Sequence, residues 1–268
     1  MKPSSPIGIF DSGIGGLTVA NAIRKILPDE NLIYFGDTAH LPYGDKSPQA
    51  IRRYSKKIAD FLLAKKCKMI VIACNTASSV AFETVKNYVG NKAIVVNVIS
   101  PVTRYVAKEY QRGKIGVIGT KGTIRSRIYV RKIFKKNNRL KVTSLATPLL
   151  APMIEEGFYN NYISRTIIHS YLSKHPLKNI HAIILACTHY PLIKKEVEEF
   201  YKRKVEIIDS AEIVALFVKD KLEKNNLFHK GKTVSYRFFV SDYTEAFEQS
   251  AKIFFKEEIH LKKVKMWK

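Results

Sequence analysis

Short apolar runs and longer amphipathic stretches alternate along this chain of 268 residues. The apolar runs are rich in β-branched residues and show little alternation with polar positions, which is typical of strands covered on both faces. They predict strands at 7–10, 32–35, 69–73, 93–99, 114–119, 182–186, 205–209 and 236–241. Apolar positions at helical spacing predict helices that include 17–27, 48–66, 77–89, 123–136, 160–174, 191–203 and about 244–255.

This order of elements predicts an α/β protein with parallel sheets. The strand ends IGIFDS and IGVIGT begin at residues 7 and 115, an offset of 108, and VIACNT and ILACTH begin at 71 and 184, an offset of 113. Buried strands share Ile, Val and Ala by chance, but two anchors with nearly equal offsets favour a duplication. We therefore predict two pseudo-symmetric domains, each a mostly parallel sheet flanked by helices, with the active site in the cleft between them.

The length and composition limit the classes of protein that fit. The length allows one large or two small domains, and the sparse Pro and Gly disfavour a disordered chain. No apolar run approaches the ~18 residues of a membrane span, and MKPSSPIGIF contains no apolar signal-peptide core. We therefore expect a cytoplasmic protein with no membrane partner. Three cysteines without a C-x-x-C pair disfavour a disulfide framework and a zinc site.

The formal net charge of +23 raises the alternative of a nucleic-acid-binding protein, because a basic excess attracts phosphates. The lysines, however, are scattered in pairs beside apolar residues, as at 56–57 and 135–136, which is the pattern of solvated helix faces. No zinc-finger or aromatic RNA-binding motif accompanies them. Nucleic-acid binding is therefore not required by the sequence and is at most a secondary role.

Polar residues follow several of the predicted strands, where ligands bind in open α/β sheets. These strand ends carry Asp11, Asp37, Cys74, Gly119 with Thr120, Cys187 and Asp209. The loop FDSGIGGLT (10–18) resembles a dinucleotide-binding turn, but Thr18 replaces its third glycine and Asp11 places a negative charge where a pyrophosphate would lie. Asp11 is then either a helix cap or, with Ser12, a polar group that faces a small ligand.

Two cysteines occupy matched positions in the two halves. Cys74 and Cys187 each follow a strand and precede a helix start, a position whose unpaired N–H groups favour a thiolate. The alternative for each is a small buried hydrophobic residue, which is our reading of Cys67. His189 is either a core histidine or a partner of Cys187. Two thiols that face one pocket would suit inversion of a stereocentre, because one base removes a proton and the other returns one on the opposite face.

These motifs strongly resemble those of the glutamate racemase family over nearly the whole chain. The matching segments are IGIFDSGIGGLTV (7–19), YFGDTAHLPYG (34–44), ACNTAS (73–78), IGVIGTKGTI (115–124), APMIEEG (151–157), ILACTHYPL (184–192) and FFVSDYTEAFEQ (238–249). They occur in the family's order. The resemblance implies racemisation of glutamate, with D-glutamate supplied for peptidoglycan synthesis.

The resemblance also implies roles for individual residues. The family's catalytic positions are matched by Cys74, Cys187, Asp11, His189, Asp37 and Glu155. In this pattern Cys74 takes the proton from D-glutamate and Cys187 from L-glutamate, assisted by Asp11 and His189 respectively. The family's substrate-binding positions are matched by Asp11, Ser12, Pro42, Tyr43, Gly44, Asn75, Thr76, Thr120, Thr123, Thr188 and His189.

The family further implies no pyridoxal phosphate, no other cofactor and no metal ion, and often a homodimer. By analogy one domain comprises 1–99 plus 209–268 and the other 100–208. The sequence departs from the family at Thr147, where many members carry cysteine, and in the segment FYNNY (158–162). The nearest alternative is a racemase of aspartate, but there the second thiol is typically followed by Thr-Glu, whereas this chain has Thr188-His189.

Overall fold

The computed structural model describes residues 1–231 and 233–267, which form two parallel sheets flanked by helices. The strands are β1 (Ile7–Asp11), β2 (Leu32–Gly36), β3 (Met69–Ile72), β4 (Ile94–Asn97), β5 (Gly113–Gly119), β6 (Leu140–Ala146), β7 (Ala182–Ala186), β8 (Glu206–Asp209), β9 (Tyr236–Val240) and β10 (Leu261–Lys263). The α-helices are α1 (Leu17–Ile26), α2 (Pro48–Ala64), α3 (Asn75–Val80), α4 (Phe82–Val89), α5 (Ile99–Glu109), α6 (Lys121–Arg125), α7 (Ile128–Lys136), α8 (Leu150–Glu155), α9 (Tyr162–Leu172), α10 (Lys194–Phe200), α11 (Ser210–Lys224) and α12 (Glu245–Phe255).

The two sheets repeat one strand order. The first runs β10-β9-β2-β1-β3-β4 and the second β6-β5-β7-β8, with every neighbouring pair parallel. The unit β2-β1-β3-β4 therefore corresponds to β6-β5-β7-β8. The two sequence anchors fall on the paired inner strands of each unit, β1 with β3 and β5 with β7. The predicted pseudo-symmetric α/β architecture is confirmed.

The central strands carry continuous apolar runs because helices cover both of their faces. All residues of β1, β2, β3 and β7 are buried. On α2, apolar residues at spacings of three and four make one buried face, and Ser47 begins the helix by accepting a hydrogen bond from the Ala50 N–H. Leu62 on this face is fully buried, so Leu62→Ala would cost about 2–5 kcal/mol of stability.

Several predicted elements end or break earlier than their patterns indicate. The strand predicted at 93–99 is wrong beyond Asn97, whose side chain accepts hydrogen bonds from Ile99 N–H and Ser100 N–H and so begins α5. The helix predicted at 77–89 is two helices that meet at Ala81, and the one at 123–136 is divided at Arg127, which has a φ of 53°. The helix predicted at 191–203 starts as a 3-10 turn and becomes α10 only at residue 194.

The chain leaves the first sheet after β4 and returns to it at β9. The first sheet therefore draws on residues 7–97 and 236–263, and the second on residues 113–209. Helix α11 carries the chain back and packs on α1 and α5. The domain limits at 99/100 and 208/209 stay a prediction; the second limit would separate Asp209 from the rest of β8.

A buried ion pair joins distant segments at the entrance to β3. Lys68 Nζ donates hydrogen bonds to Glu30 Oε2 (2.6 Å), Pro3 O (2.6 Å) and Leu227 O (2.8 Å). The other oxygen of Glu30 accepts from His229 N–H at 2.8 Å. Buried charges are tolerated where such partners replace water. Among the helices of residues 1–231 and 233–267, none combines the length and apolar character needed to cross a membrane.

Candidate active site

Both matched thiols open into one cavity between the two sheets. Cys74 follows β3, and Cys187 follows the equivalent strand β7. The cavity is lined by Ser12, Leu41, Pro42, Tyr43, Gly44, Cys74, Asn75, Thr76, Thr120, Ala151, Pro152, Glu155, Cys187, Thr188 and His189. This lining contains no Lys or Arg. Besides the two thiols, its polar side chains are five hydroxyls, one amide, one carboxylate and one imidazole, and its other residues are Leu, Ala, Pro and Gly. Three larger cavities, of about 400, 590 and 320 Å³, contain neither thiol.

Cys74 is a buried thiol at the start of α3. Its Sγ accepts a hydrogen bond from Ala77 N–H (3.4 Å), and its S–H donates to Ser12 Oγ (3.6 Å). The pKa of Cys74 is raised to about 12, first by burial and then by the nearby charge of Asp11, against smaller opposing effects of the Ala77 and Ser12 hydrogen bonds. The hydrogen bond at the helix start lowers the pKa of Cys74, but burial and the charge of Asp11 outweigh it. Cys74 is a protonated thiol, equipped to donate.

Asp11 lies behind Cys74 and does not line the cavity. It is completely buried, and its Oδ2 accepts hydrogen bonds from Gly13 N–H (3.2 Å) and Gly16 N–H (3.0 Å) at the start of α1. Its Oδ1 has no hydrogen-bond partner among the described residues. Burial raises the pKa of Asp11, although the charge of His189 and the backbone N–H groups counteract part of the rise. Asp11 thus caps the turn and also acts electrostatically on Cys74.

Cys187, His189 and Glu155 form a connected row on the opposite side of the cavity. The Cys187 sulfur lies 3.6 Å from His189 Nδ1, and His189 Nε2 lies 2.8 Å from Glu155 Oε1. Burial alone would lower the pKa of His189, but its contacts with Cys187 and Glu155 raise that pKa well above its usual value. His189 is therefore an imidazolium that can donate to the Cys187 sulfur while Glu155 holds the other ring nitrogen.

Asn75 presents a buried hydrogen-bond donor beside the two thiols. Its Oδ1 accepts from the Tyr129 hydroxyl on α7 at 2.7 Å, which orients the amide. Its Nδ2 has no partner among the described residues and is buried. A buried donor without a partner is costly, so a ligand that accepts this bond would bind favourably. Tyr129 belongs to the second sheet's helices, so this bond also joins the two halves.

Three threonine hydroxyls form a second contact across the cleft. Thr76 Oγ1 lies 2.8 Å from Thr120 Oγ1 and 3.2 Å from Thr123 Oγ1, and the last two lie 3.1 Å apart. Thr120 also caps α6 by accepting from the Thr123 N–H at 3.2 Å. The backbones approach closely here, since a Cβ on Gly122 would lie 2.9 Å from Thr76 Cγ2. Thr76 and Thr120 line the cavity, whereas Thr123 stands behind them.

Asp37 lies outside the cavity, beneath the loop that carries Pro42, Tyr43 and Gly44. Its buried carboxylate accepts a hydrogen bond from the Tyr43 hydroxyl at 2.6 Å and contacts His40 Nδ1 at 3.0 Å. Asp37 makes no contact with either thiol and is absent from the lining. Its direct effect in the structure is to hold Tyr43.

The cleft is closed in this structure. The cavity at the thiols measures about 60 Å³, against about 400 and 590 Å³ for two cavities elsewhere. The Thr18 hydroxyl donates to Thr188 O across the cleft at 3.0 Å. A Cβ on Gly15 would lie 2.4 Å from the His189 ring, so the loop after β1 rests directly on that ring. An amino acid can enter only if the two halves separate or these side chains move.

Most of the residues predicted from the sequence converge on this cavity. Those that line it are Ser12, Pro42, Tyr43, Gly44, Cys74, Asn75, Thr76, Thr120, Glu155, Cys187, Thr188 and His189. Asp11, Asp37 and Thr123 stand behind the lining. Of the other strand-end residues, Asp209 lies elsewhere and caps α11 through a hydrogen bond from Ala211 N–H at 2.9 Å. Cys67 is buried in the core, where desolvation raises its pKa to about 12.

The sequence reasoning missed some residues of the site. Leu41, Ala151 and Pro152 line the cavity, and the last two stand in the APMIEEG segment, where the motif was visible but these positions were not singled out. Tyr129 acts on Asn75 from 54 positions away in the chain, and no local pattern indicates such a contact. Thr147, where the sequence departs from the family, is buried, and its Oγ1 lies 2.7 Å from the Tyr190 hydroxyl.

The chain is similar to known proteins in both sequence and fold. The Asp/Glu/Hydantoin racemase family model matches residues 17–218. A glutamate racemase from Chlorobaculum parvum is 41% identical over 260 residues, which cover 97% of this chain and 95% of that protein. The crystal structure of a glutamate racemase from Francisella tularensis in complex with D-glutamate superposes with a TM-score of 0.92 at 39% identity, covering 98% of each chain. An aspartate racemase homologue from Pyrococcus horikoshii shares the fold alone, with a TM-score of 0.56 and 21% identity over 82% of this chain and 99% of that one.

Proposed function

The chain belongs to the Asp/Glu/Hydantoin racemase family, and we propose that it interconverts L- and D-glutamate with Cys74 and Cys187 as the two acid–base groups. The single observation that carries the proposal is that these two thiols open into one cavity from equivalent strands of the two halves. A carbon bound between them presents one face to each sulfur. The enzyme is thus an isomerase, an amino-acid racemase.

Each direction of the reaction moves one proton onto one sulfur and another proton off the other. From L-glutamate, the Cys187 thiolate takes the α-proton, and the electron pair left on Cα is delocalised into the α-carboxylate. The Cys74 thiol then donates its proton to the opposite face, which gives D-glutamate and a Cys74 thiolate. The reverse reaction restores the first state. The raised pKa of Cys74 supports its role as the proton donor in the direction from L to D.

The groups around the thiols suit the charge that develops. The α-proton is far less acidic than a thiol, so the transition state needs preorganised donors near the α-carboxylate. The unpartnered Nδ2 of Asn75 and the hydroxyls of Thr76 and Thr120 are such donors. His189, kept protonated beside Glu155, stabilises the Cys187 sulfur whenever that sulfur carries a negative charge. Closure of the cleft excludes water, which strengthens each of these contacts.

Glutamate is the proposed substrate because the full-length relatives at about 40% identity are glutamate racemases. The Thr188-His189 pair supports the same choice over aspartate. The test is to measure initial rates of loss of optical activity by circular dichroism with L-glutamate and L-aspartate, without added pyridoxal phosphate. We expect turnover of glutamate and little of aspartate. A preference for aspartate, or a requirement for the cofactor, would overturn the assignment.

The biological setting follows the family resemblance. The proposal includes supply of D-glutamate to peptidoglycan synthesis in the cytoplasm. It also includes a homodimer, which is supported by exposed apolar side chains close together in sequence at Leu149, Phe158, Tyr162 and Ile163. Light scattering on the purified protein tests the oligomer: a mass near 61 kDa, twice the 30.6 kDa of one chain, is expected. A monomer at micromolar concentration would remove the dimer from the proposal.

A further inference from the structure

We propose that Trp267 is a positioning residue of this active site: it holds Asp37 and His40 in place, and through them the loop Leu41–Gly44 that lines the cavity. The proposal rests on the racemase function stated above and adds a residue that the chemistry does not touch. Four donor groups meet at the Asp37 carboxylate: two from the loop that follows it, and two, Ser241 and Trp267, from segments more than 200 positions away.

The Asp37 carboxylate is held in position by several hydrogen-bond donors. Oδ1 accepts hydrogen bonds from Ser241 Oγ (2.7 Å) and Trp267 Nε1 (3.0 Å), while Oδ2 accepts from the Tyr43 hydroxyl (2.6 Å). His40 Nδ1 lies 3.0 Å from both oxygens. The carboxylate is fully buried, and no Lys or Arg pairs with it among the described residues. Hydrogen bonds to a buried charge are strong, so each donor matters to the position of the group.

Trp267 is brought to Asp37 by the last strand of the first sheet. β10 pairs with β9, and Val264 N–H donates to Val240 O at 2.9 Å, which continues the pairing past the strand. Ser241, the next residue after β9, reaches Asp37 from the same side. Residues 261–267 therefore run alongside 238–241, which places the Trp267 indole next to the Asp37 carboxylate.

The indole also closes an aromatic cluster over the loop. Its ring meets His40 edge-on at 4.4 Å between centroids and Tyr54 at 5.3 Å, and His40 stacks on Tyr54 at 3.9 Å. Lys57 Nζ lies over the indole at 5.0 Å from its centroid. The His40 side chain is consequently only 21% exposed. Trp267 thus acts on the loop both through its N–H and through its ring.

The loop Leu41–Gly44 connects the contacts of Asp37 to the substrate cavity. Leu41, Pro42, Tyr43 and Gly44 all line the cavity, and Tyr43 is fixed from below by Asp37. A Cβ on Gly44 would lie 3.0 Å from Thr120 Cβ, so the loop also touches the second half of the protein. Because the cleft must open to admit substrate, this loop must re-form its contacts at each closure. A loop already ordered by Trp267 makes that closure less costly.

Steady-state kinetics test the two contributions of the indole separately. Trp267→Phe keeps an aromatic ring, although a smaller one, and removes the N–H, whereas Trp267→Ala removes both. We expect Trp267→Ala to raise KM for glutamate about threefold to tenfold with kcat changed less than twofold, because ordering one or two side chains on binding costs that much affinity. Trp267→Phe should recover part of the loss. Tyr88→Phe is the matched control, since it removes another aromatic hydrogen bond to a carboxylate, Asp60, away from the cavity.

Trp267 is the only tryptophan in the chain, so its fluorescence reports directly on this contact. D-glutamate should shift the emission of the wild-type protein with the same concentration dependence as KM. Moving the tryptophan to an exposed site on α7, with Phe134→Trp in the Trp267→Phe background, should abolish the response.

The outcomes separate this proposal from the proposed function. A wild-type protein that racemises glutamate, with unchanged KM in Trp267→Ala and no glutamate-dependent emission change, would overturn the positioning role alone. A fall in unfolding midpoint with KM unchanged would make Trp267 merely structural and would equally overturn it. Absence of racemisation by the wild-type protein would instead refute the proposed function.

Discussion

Replacing Glu155 by glutamine tests whether the carboxylate keeps His189 protonated. Glu155 Oε1 lies 2.8 Å from His189 Nε2, and the glutamine amide retains the shape and a hydrogen bond but not the negative charge. The imidazolium would then lose its charged partner inside a buried site. We expect the pKa of His189 to fall in Glu155→Gln, because burial, which disfavours the imidazolium, would be opposed mainly by Cys187.

The size of the fall can be bounded from this geometry. Two unit charges 2.8 Å apart attract by about 6 kcal/mol at an effective dielectric constant of 20 and by about 1.5 kcal/mol in bulk water. The Glu155 side chain is 31% exposed, so water screens part of the attraction. We take about 2–3 kcal/mol, which corresponds to about 1.5–2 pH units, since one unit equals 1.36 kcal/mol.

The assay is the pH dependence of kcat/KM in both directions. The alkaline limb that reports loss of the His189 proton should move to lower pH by about 1.5–2 units in Glu155→Gln. Protonation of His189 also contributes to folding stability. Because the pKa of His189 is raised in the folded protein, this contribution is fully present below the pKa of the unfolded state and is lost as the pH rises through the pKa of the folded state. In Glu155→Gln this loss should begin at lower pH.

Two controls make the result interpretable. Glu156→Gln removes an exposed carboxylate one position away and should leave the profile unchanged. Because the equilibrium constant of a racemisation is one, kcat/KM must be equal in the two directions for every variant, and any inequality signals an assay fault. An alkaline limb that stays in place in Glu155→Gln would refute the claim that Glu155 holds the imidazolium.

Three further substitutions test other parts of the account. Lys68→Ala should lower the free energy of unfolding by about 3–5 kcal/mol in urea titrations, because it leaves a buried carboxylate unpaired; a loss below 1 kcal/mol would contradict the role of this ion pair. Tyr129→Phe should lower kcat/KM about tenfold, because the Asn75 amide is then no longer oriented; an unchanged value would mean that this bond does not matter. Gly15→Ala should lower kcat/KM at least tenfold without unfolding the protein by circular dichroism, because its Cβ would displace the His189 ring; normal activity would show that closure does not need this contact.

The strands that could be predicted from the sequence are those with one consistent physical environment. β1, β3 and β7 are buried on both faces, so their apolar runs are unbroken. β6 is an edge strand of half-buried, mixed residues and carries no such signal, which is why it was not predicted. The apolar run at 93–99 continues from β4 into α5, and only the hydrogen bonds from Ile99 N–H and Ser100 N–H to the Asn97 side chain mark the boundary.

The residues of the site likewise fall into those that the sequence predicts and those that it does not. Cys74 and Cys187 were predictable because each stands at a strand end with a recurring neighbourhood. Tyr129 and Trp267 could not be predicted, because their partners are distant in the chain. Tyr129 contacts Asn75, 54 positions away, and Trp267 contacts Asp37, 230 positions away. The sequence did not indicate which thiol is ionised at rest, because a helix start is a local feature, whereas the burial that raises the pKa of Cys74 depends on the whole fold.

The fate of the α-proton in deuterium oxide tests the two-thiol claim most directly. Starting from protiated L-glutamate, proton NMR with chiral analysis follows both enantiomers at early times. The account predicts D-glutamate that carries solvent deuterium at Cα while the remaining L-glutamate stays protiated, because the two faces are served by different sulfurs. It also predicts that neither Cys74→Ala nor Cys187→Ala racemises. Early D-glutamate that retains the substrate proton, or racemisation by either variant, would contradict the two-thiol mechanism.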